Sequence, residues 1–189
     1  MTSELLPVLQ KTKLSRVVNV SSQALEKEEL LKRGLNLEDM NFETGGWQTM
    51  GMVAYATSKL QETLFSWTFK NFLEKSRGAT VKCVSLHPGA ICTNIGQDLP
   101  GWIQGLFGLI QPMLVPIFKD IEYGAATSMH CATIDYEKLV DGEYYSDLAV
   151  KTDSIPQKYL TEENGRTLWN KTVELLEDRV GKKLNLQKF

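Results

Sequence analysis

Tyr55 and Lys59 stand four residues apart in the run Tyr55-Ala-Thr-Ser-Lys59, and Ser22 closes an apolar run upstream. On a helix, positions i and i+4 project from one face, one turn apart. A phenol ordinarily ionises near about 10, so it is a poor base at neutral pH. A neighbouring ammonium favours the phenolate. The phenol can then exchange a proton with a hydroxyl or carbonyl oxygen while hydride leaves or arrives at the carbon. A serine hydroxyl beside that oxygen orients it and shares the developing charge. The spacing alone is not specific. A Tyr-x-x-x-Lys pair arises in many helices as a packed tyrosine beside a solvated lysine, and Ser22 reads equally well as a helix cap.

The elements that must position these groups follow from periodicity. Residues 1–12 place Leu5, Leu6 and Leu9 at helical spacing. Arg16-Val-Val-Asn-Val-Ser21 is a short β-branched run, which predicts a buried strand. A helix is expected near Glu26–Lys32, ending at Gly34. The longest helical pattern covers 53–75, with Leu60, Leu64, Phe65, Phe69, Phe72 and Leu73 inward and Gly78 as a stop. Thr80–Leu86 predicts a second strand, closed by His87-Pro88-Gly89, and Gly142–Ser146 a third. Helices are expected over 121–133 and 161–179. Strands alternating with helices imply an α/β fold with a parallel sheet. Such sheets place their sites at strand carboxyl ends, where Ser22 falls. No repeat or low-complexity linker divides the chain, so residues 1–189 are read as one domain.

Composition limits the function. The chain has 189 residues, 42% hydrophobic and 23% charged, with a net charge of −2. Those values fit a soluble globular protein and give no electrostatic case for nucleic acid. Cys83, Cys92 and Cys131 have no metal-like spacing, so no metal site is expected, and an odd count points to buried thiols in a reducing compartment. No signal peptide is seen, and a cytoplasmic or intracellular membrane-associated location is expected. The stretch Pro100–Phe118 is strongly apolar but interrupted by Gln104, Gln111, Pro112 and Pro116. It reads as a flap over an apolar pocket in preference to a segment touching a membrane surface, because irregular backbone is not tolerated facing lipid. A transmembrane helix is the least favoured of the three.

The ordered set Arg16-Val-Val-Asn-Val-Ser-Ser22, Tyr55-Ala-Thr-Ser-Lys-Leu60, Val84-Ser-Leu-His-Pro-Gly89, Glu122-Tyr-Gly-Ala125, Gly142-Glu-Tyr-Tyr-Ser-Asp147 and Leu168-Trp169 resembles the short-chain dehydrogenase/reductase family. It is similar above all to the branch of the retinol dehydrogenases and WW-domain oxidoreductases, over residues 1 to about 178. The resemblance implies a Rossmann-like, doubly wound parallel sheet and an NAD- or NADP-dependent oxidoreductase acting on a lipophilic alcohol or carbonyl. It implies that Tyr55 is the acid–base residue, and that Lys59 binds the nicotinamide ribose and favours the ionised tyrosine. Ser22 would position the substrate oxygen. Pro88, Gly89, Ala90 and Ile91 would wall the nicotinamide, and Thr93 would reach its carboxamide or the phosphates. His87 matches a family position with no chemical role.

The resemblance also defines what the sequence lacks. No strand, glycine-rich turn and helix precedes the motif set, so the N-terminal dinucleotide-binding strands of the family have no counterpart here. Gly101, Gly105 and Gly108 miss the family spacing and follow no strand, and are rejected as a phosphate turn. About three strands with flanking helices are therefore expected, a partial fold corresponding to the C-terminal catalytic half. The isolated chain is expected to be inactive for want of a cofactor site. The strand at 16–21 would form a naked edge, to be covered by a protein partner or a second copy. A non-catalytic interaction subunit derived from the family is the alternative reading.

Overall fold

The computed structural model describes residues 2–44, 47–75, 81–89, 121–181 and 183. The expected flap at 100–118, Cys92, Ile91, Thr93 and the stop at Gly78 lie outside the described residues, as do the side chains of Phe72 and Leu73.

The chain opens with helix α1 (Thr2–Lys11) and strand β1 (Ser15–Val20), then runs through irregular backbone to the long helix α2 (Trp47–Lys75). Strand β2 (Val81–Leu86), helix α3 (Ile121–Thr133), strands β3 (Tyr144–Ser146) and β4 (Ala149–Val150), and helix α4 (Glu162–Val180) follow. The sheet order is β1-β2-β3-β4. β1 and β2 are parallel from Ser15↔Val81 to Val20↔Leu86. β2 and β3 are parallel through Ser85↔Tyr144 and Leu86↔Tyr145. β4 turns back antiparallel on β3.

Alternation along the strands sends side chains to two layers. Val17, Val81 and Cys83 join Phe65, Phe69, Trp169, Leu6 and Leu9, so α2, α4 and α1 cover one face. Val18, Val84, Leu86 and Tyr145 join Cys131, Leu139 and Ile134, so α3 covers the other. Helices on both faces of a parallel-dominated sheet make this a partial Rossmann-like α/β fold. A third apolar cluster packs Ala56, Leu60 and Leu64 of α2 against Leu25, Leu31, Leu35, Tyr144, Ile155 and Leu168. Among the described residues β1 lies at one end of the sheet, and Val20 is 47% exposed.

Three expectations need correction. The segment read as a helix at 26–32 forms two short 3-10 turns, Gln23–Glu26 and Glu28–Leu30. Lys27 separates them with extended backbone (φ −91, ψ 101), which no continuous helix permits. Leu5 faces solvent, whereas Leu6 and Leu9 pack inward. The sheet has a fourth strand, β4, of two residues.

Candidate active site

The carboxyl end of β1 is tied to α2 by a polar seam. Asn19 Nδ2 donates to Ser66 Oγ at 2.8 Å. Ser21 Oγ accepts from Thr63 Oγ1 and donates to the carbonyl of Lys59, both at 3.0 Å. Lys59 Nζ donates to the carbonyl of Val20 at 2.9 Å. Positions 59, 63 and 66 follow the i, i+4, i+7 spacing of one helix face. As β1 advances from Asn19 to Ser21, its partners on α2 recede from Ser66 to Lys59. Tyr55 continues the same face by one further turn, past the end of β1. It is 39% exposed there, and its hydroxyl has no hydrogen bond among the described residues.

Lys59 is held twice. Besides Val20, its ammonium pairs with Glu62 Oε2 at 2.9 Å, with about a quarter of the side chain exposed (24%). An ammonium has three donors, so one is left for a further acceptor. Ser22 is half-buried and caps the turn Gln23–Glu26, accepting from the amide of Ala24 at 3.3 Å. A hydroxyl that accepts still carries its own hydrogen, so Ser22 can donate to an oxygen placed before it. The cap and the donor readings of Ser22 are therefore compatible.

Pro88 and Gly89 follow β2, whose end lies beside that of β1 through the Val20↔Leu86 register. Ser21 continues that alignment by donating its amide to the Leu86 carbonyl at 2.6 Å. Gly89 has φ +87, a conformation costly for any residue with a Cβ. Its amide donates to Nδ1 of the buried His87 at 2.9 Å. The sheet thus brings the turns carrying Ser22 and Pro88-Gly89 to one edge, with Tyr55 and Lys59 on the helix above it.

Two residues of this arrangement carried no sequence signal. Ser21, rather than Ser22, bolts the strand to the helix, and two adjacent serines give no means of telling which one turns inward. Glu26 lies beneath the same turn, and its partners come from far along the chain, His87 just past β2 and Tyr144 on β3. Two surface cavities, of about 410 and 620 Å³, are lined from the 33–43 segment, residues 158–164 and α4. Neither touches Ser22, Tyr55, Lys59, Pro88 or Gly89. Among the described residues, no cluster of three acidic, His or Cys side chains could hold a metal ion. No helix among them is long and apolar enough to cross a membrane.

No family model matches the chain. Among curated proteins it is 32% identical over 173 residues to retinol dehydrogenase 14 of Homo sapiens, covering 90% of this chain and 46% of that protein. It is 28% identical over 176 residues to retinol dehydrogenase 12 of Mus musculus, covering 93% and 50%. It is 29% identical over 182 residues to dehydrogenase/reductase SDR family member FEY of Arabidopsis thaliana, covering 91% and 45%. The chain spans about half the length of the curated relatives it matches. With the parallel sheet and helices on both its faces, these likenesses show that the chain belongs to the short-chain dehydrogenase/reductase family, among its retinol-dehydrogenase-like members, and represents their C-terminal portion.

Proposed function

We propose that this chain is the catalytic portion of an NAD(P)-dependent oxidoreductase that interconverts a lipophilic alcohol and its carbonyl. The observation that carries this reading is the seam on α2. One helix face bolts itself to the end of β1 through Lys59 and Thr63, and Tyr55 continues that face by one turn, past the strand that Ser22 follows. Ser22 donates to the substrate oxygen and fixes its position. Tyr55 passes the proton between its hydroxyl and that oxygen. Lys59, anchored by Val20 and Glu62, offers its remaining N–H to a ribose hydroxyl. Gly89, without a Cβ, lets the ring of a nicotinamide approach the backbone beside Pro88. When bound, the dinucleotide supplies or removes the hydride. The donor set fits the nicotinamide end of such a molecule. Its phosphates and adenosine need groups from a dinucleotide-binding half, so the chain by itself is proposed to be inactive.

A second reading, a non-catalytic subunit that docks a partner, is favoured by the place of β1 at the end of the sheet among the described residues and by exposed Val20. Titration with NADH and NADPH, alone and after joining the chain to a dinucleotide-binding half, separates the two. We expect no micromolar complex with the chain alone. The joined form should bind cofactor and turn over retinol-like alcohols or aldehydes. Binding without turnover of any lipophilic substrate would favour the second reading.

A further inference from the structure

The turn after β1 and the turn after β2 meet over one carboxylate. Glu26 closes the 3-10 turn that Ser22 caps. Its side chain is 16% exposed, and Oε1 stands 3.7 Å from Nε2 of His87, beyond hydrogen-bond length but within electrostatic reach. The same oxygen accepts the hydroxyl of Tyr144 on β3 at 3.1 Å. Tyr144 is wholly buried, and its ring faces that of His87 with centroids 5.8 Å apart. On the far side of the imidazole, Nδ1 accepts the amide of Gly89.

That last bond sets the tautomer. A ring nitrogen that accepts a hydrogen bond carries no proton, so the neutral imidazole bears its hydrogen on Nε2, the nitrogen facing Glu26. The ring is thus held at Nδ1 by the Gly89 amide, and its Nε2 faces the Glu26 carboxylate at 3.7 Å. Gly89 has reason to need such a tether. Its positive φ is available to glycine because glycine is the least restricted residue, and for that reason it loses the most freedom on being fixed.

We propose that Glu26 and His87 are positioning residues that hold the Ser22 turn and the Pro88-Gly89 turn in one register. The inference rests on the reading of those turns as the substrate and nicotinamide sides of the site. The path runs from the Ser22 cap through the 3-10 turn to Glu26, across to Nε2, and through the ring to the amide of Gly89. Tyr144 fixes the carboxylate against β3, so that neither turn can shift alone. A histidine that merely filled space would require none of this chain of contacts. It would be replaceable by another aromatic ring without effect on Gly89.

NMR on the isotope-labelled chain tests the proposal without cofactor or substrate. The proton–nitrogen correlation spectrum of the imidazole is expected to show the hydrogen on Nε2. In His87→Phe the ring volume stays but the acceptor goes, and amide exchange at Gly89 should quicken about fivefold, the effect of losing one ordinary hydrogen bond. In His87→Asn the side-chain oxygen can accept from the amide two residues on, as in an Asx turn, and exchange should return toward the unaltered rate. Glu26→Gln keeps an acceptor for Tyr144 but removes the charge. It should shift the Gly89 amide resonance although Glu26 does not touch Gly89. A proton found on Nδ1, or Gly89 unmoved by Glu26→Gln, overturns the proposal. These two measurements decide the matter even if His87→Phe fails to fold. A failure of the joined form to bind NADH or NADPH would sink the functional reading on separate grounds, while the amide data would still judge the tether.

Discussion

Lys59 donates to the Val20 carbonyl and to Glu62, so its removal acts on the fold as well as on the chemistry. Tyr55 has no comparable tie, since its hydroxyl has no hydrogen-bond partner among the described residues. The two substitutions should therefore separate. Tyr55→Phe is expected to leave stability within about 0.5 kcal/mol, as exposed changes ordinarily do. In the form joined to a dinucleotide-binding half it should abolish turnover and spare cofactor affinity. Lys59→Met should abolish turnover, weaken cofactor binding and lower stability by about 1 kcal/mol. That is less than a buried charged hydrogen bond contributes, because water competes for a quarter-exposed ammonium. Urea denaturation and steady-state rates on both variants check the pair. Retained turnover in Tyr55→Phe would refute the proton role. Equal stability losses in the two variants would refute the anchoring of Lys59.

Helices α2 and α4 meet closely at Gly165 and Thr68. A Cβ on Gly165 would lie 2.0 Å from Thr68 Oγ1, 2.8 Å from its Cγ2 and 2.9 Å from its Cβ. Gly165→Ala should destabilise by about 1–3 kcal/mol, even though alanine is the better helix former, because the overlap includes an atom no rotamer can move. Thr68→Ala in the same chain should restore part of the loss. A Gly165→Ala variant as stable as the parent in thermal or urea unfolding would contradict this packing. Nothing in the sequence around Gly165 predicts the contact, since a glycine inside a helical pattern carries no mark of its neighbour. Elements with strong periodicity are different. The bounds Ile121–Thr133 of α3 agree with the sequence reading, and so does the pairing of three parallel strands. The segment after Ser22 misleads because Glu26–Lys32 is an unbroken run of good helix formers, while the Ser22 cap and extended Lys27 break it into separate turns. β4 is silent for another reason. Its hairpin turns through Asp147 and Leu148, both at positive φ, where Asn-Gly or Asp-Gly would have announced the turn. In the candidate site the same rule holds. Tyr55 and Lys59 are legible because a single helix sets their spacing, whereas Glu26 and His87 are brought together only by the sheet.

At the scale of the whole molecule, the central strands β2 and β3 are buried, and the layer on each side of them holds a thiol. Cys83 on β2 belongs to the layer under α2 and α4, and Cys131 to the layer under α3. Burial pushes Cys83 up from 9.0 to about 12, with the Ser66 hydrogen bond opposing and Asp141 adding to the rise. Burial likewise pushes Cys131 up to about 11, with Arg16 opposing. Tyr144 is also raised, first by burial and then by Glu26. The sign follows from proton counts. Between pH 9.0 and the folded values, the unfolded chain has released thiol protons that the folded chain keeps. The unfolded state then binds fewer protons, so stability falls as pH rises, by about 1.4 kcal/mol per pH unit for each thiol. Below the unfolded value these groups impose no slope. Cys83→Ala removes one of them and leaves Asn19 its bond to Ser66. Its stability should therefore decline less steeply between pH 9 and 11, by about 1 kcal/mol or more at the upper end. Lysines and tyrosines contribute equally to both chains and cancel in the comparison. Urea midpoints of the two chains at a series of pH values read the difference directly. Parallel curves would mean that the Cys83 thiol already ionises in the folded state. The inner face of the sheet would then be open to water, and the close packing of β2 against α2, which sets Tyr55 and Lys59 above the strand ends, would be wrong.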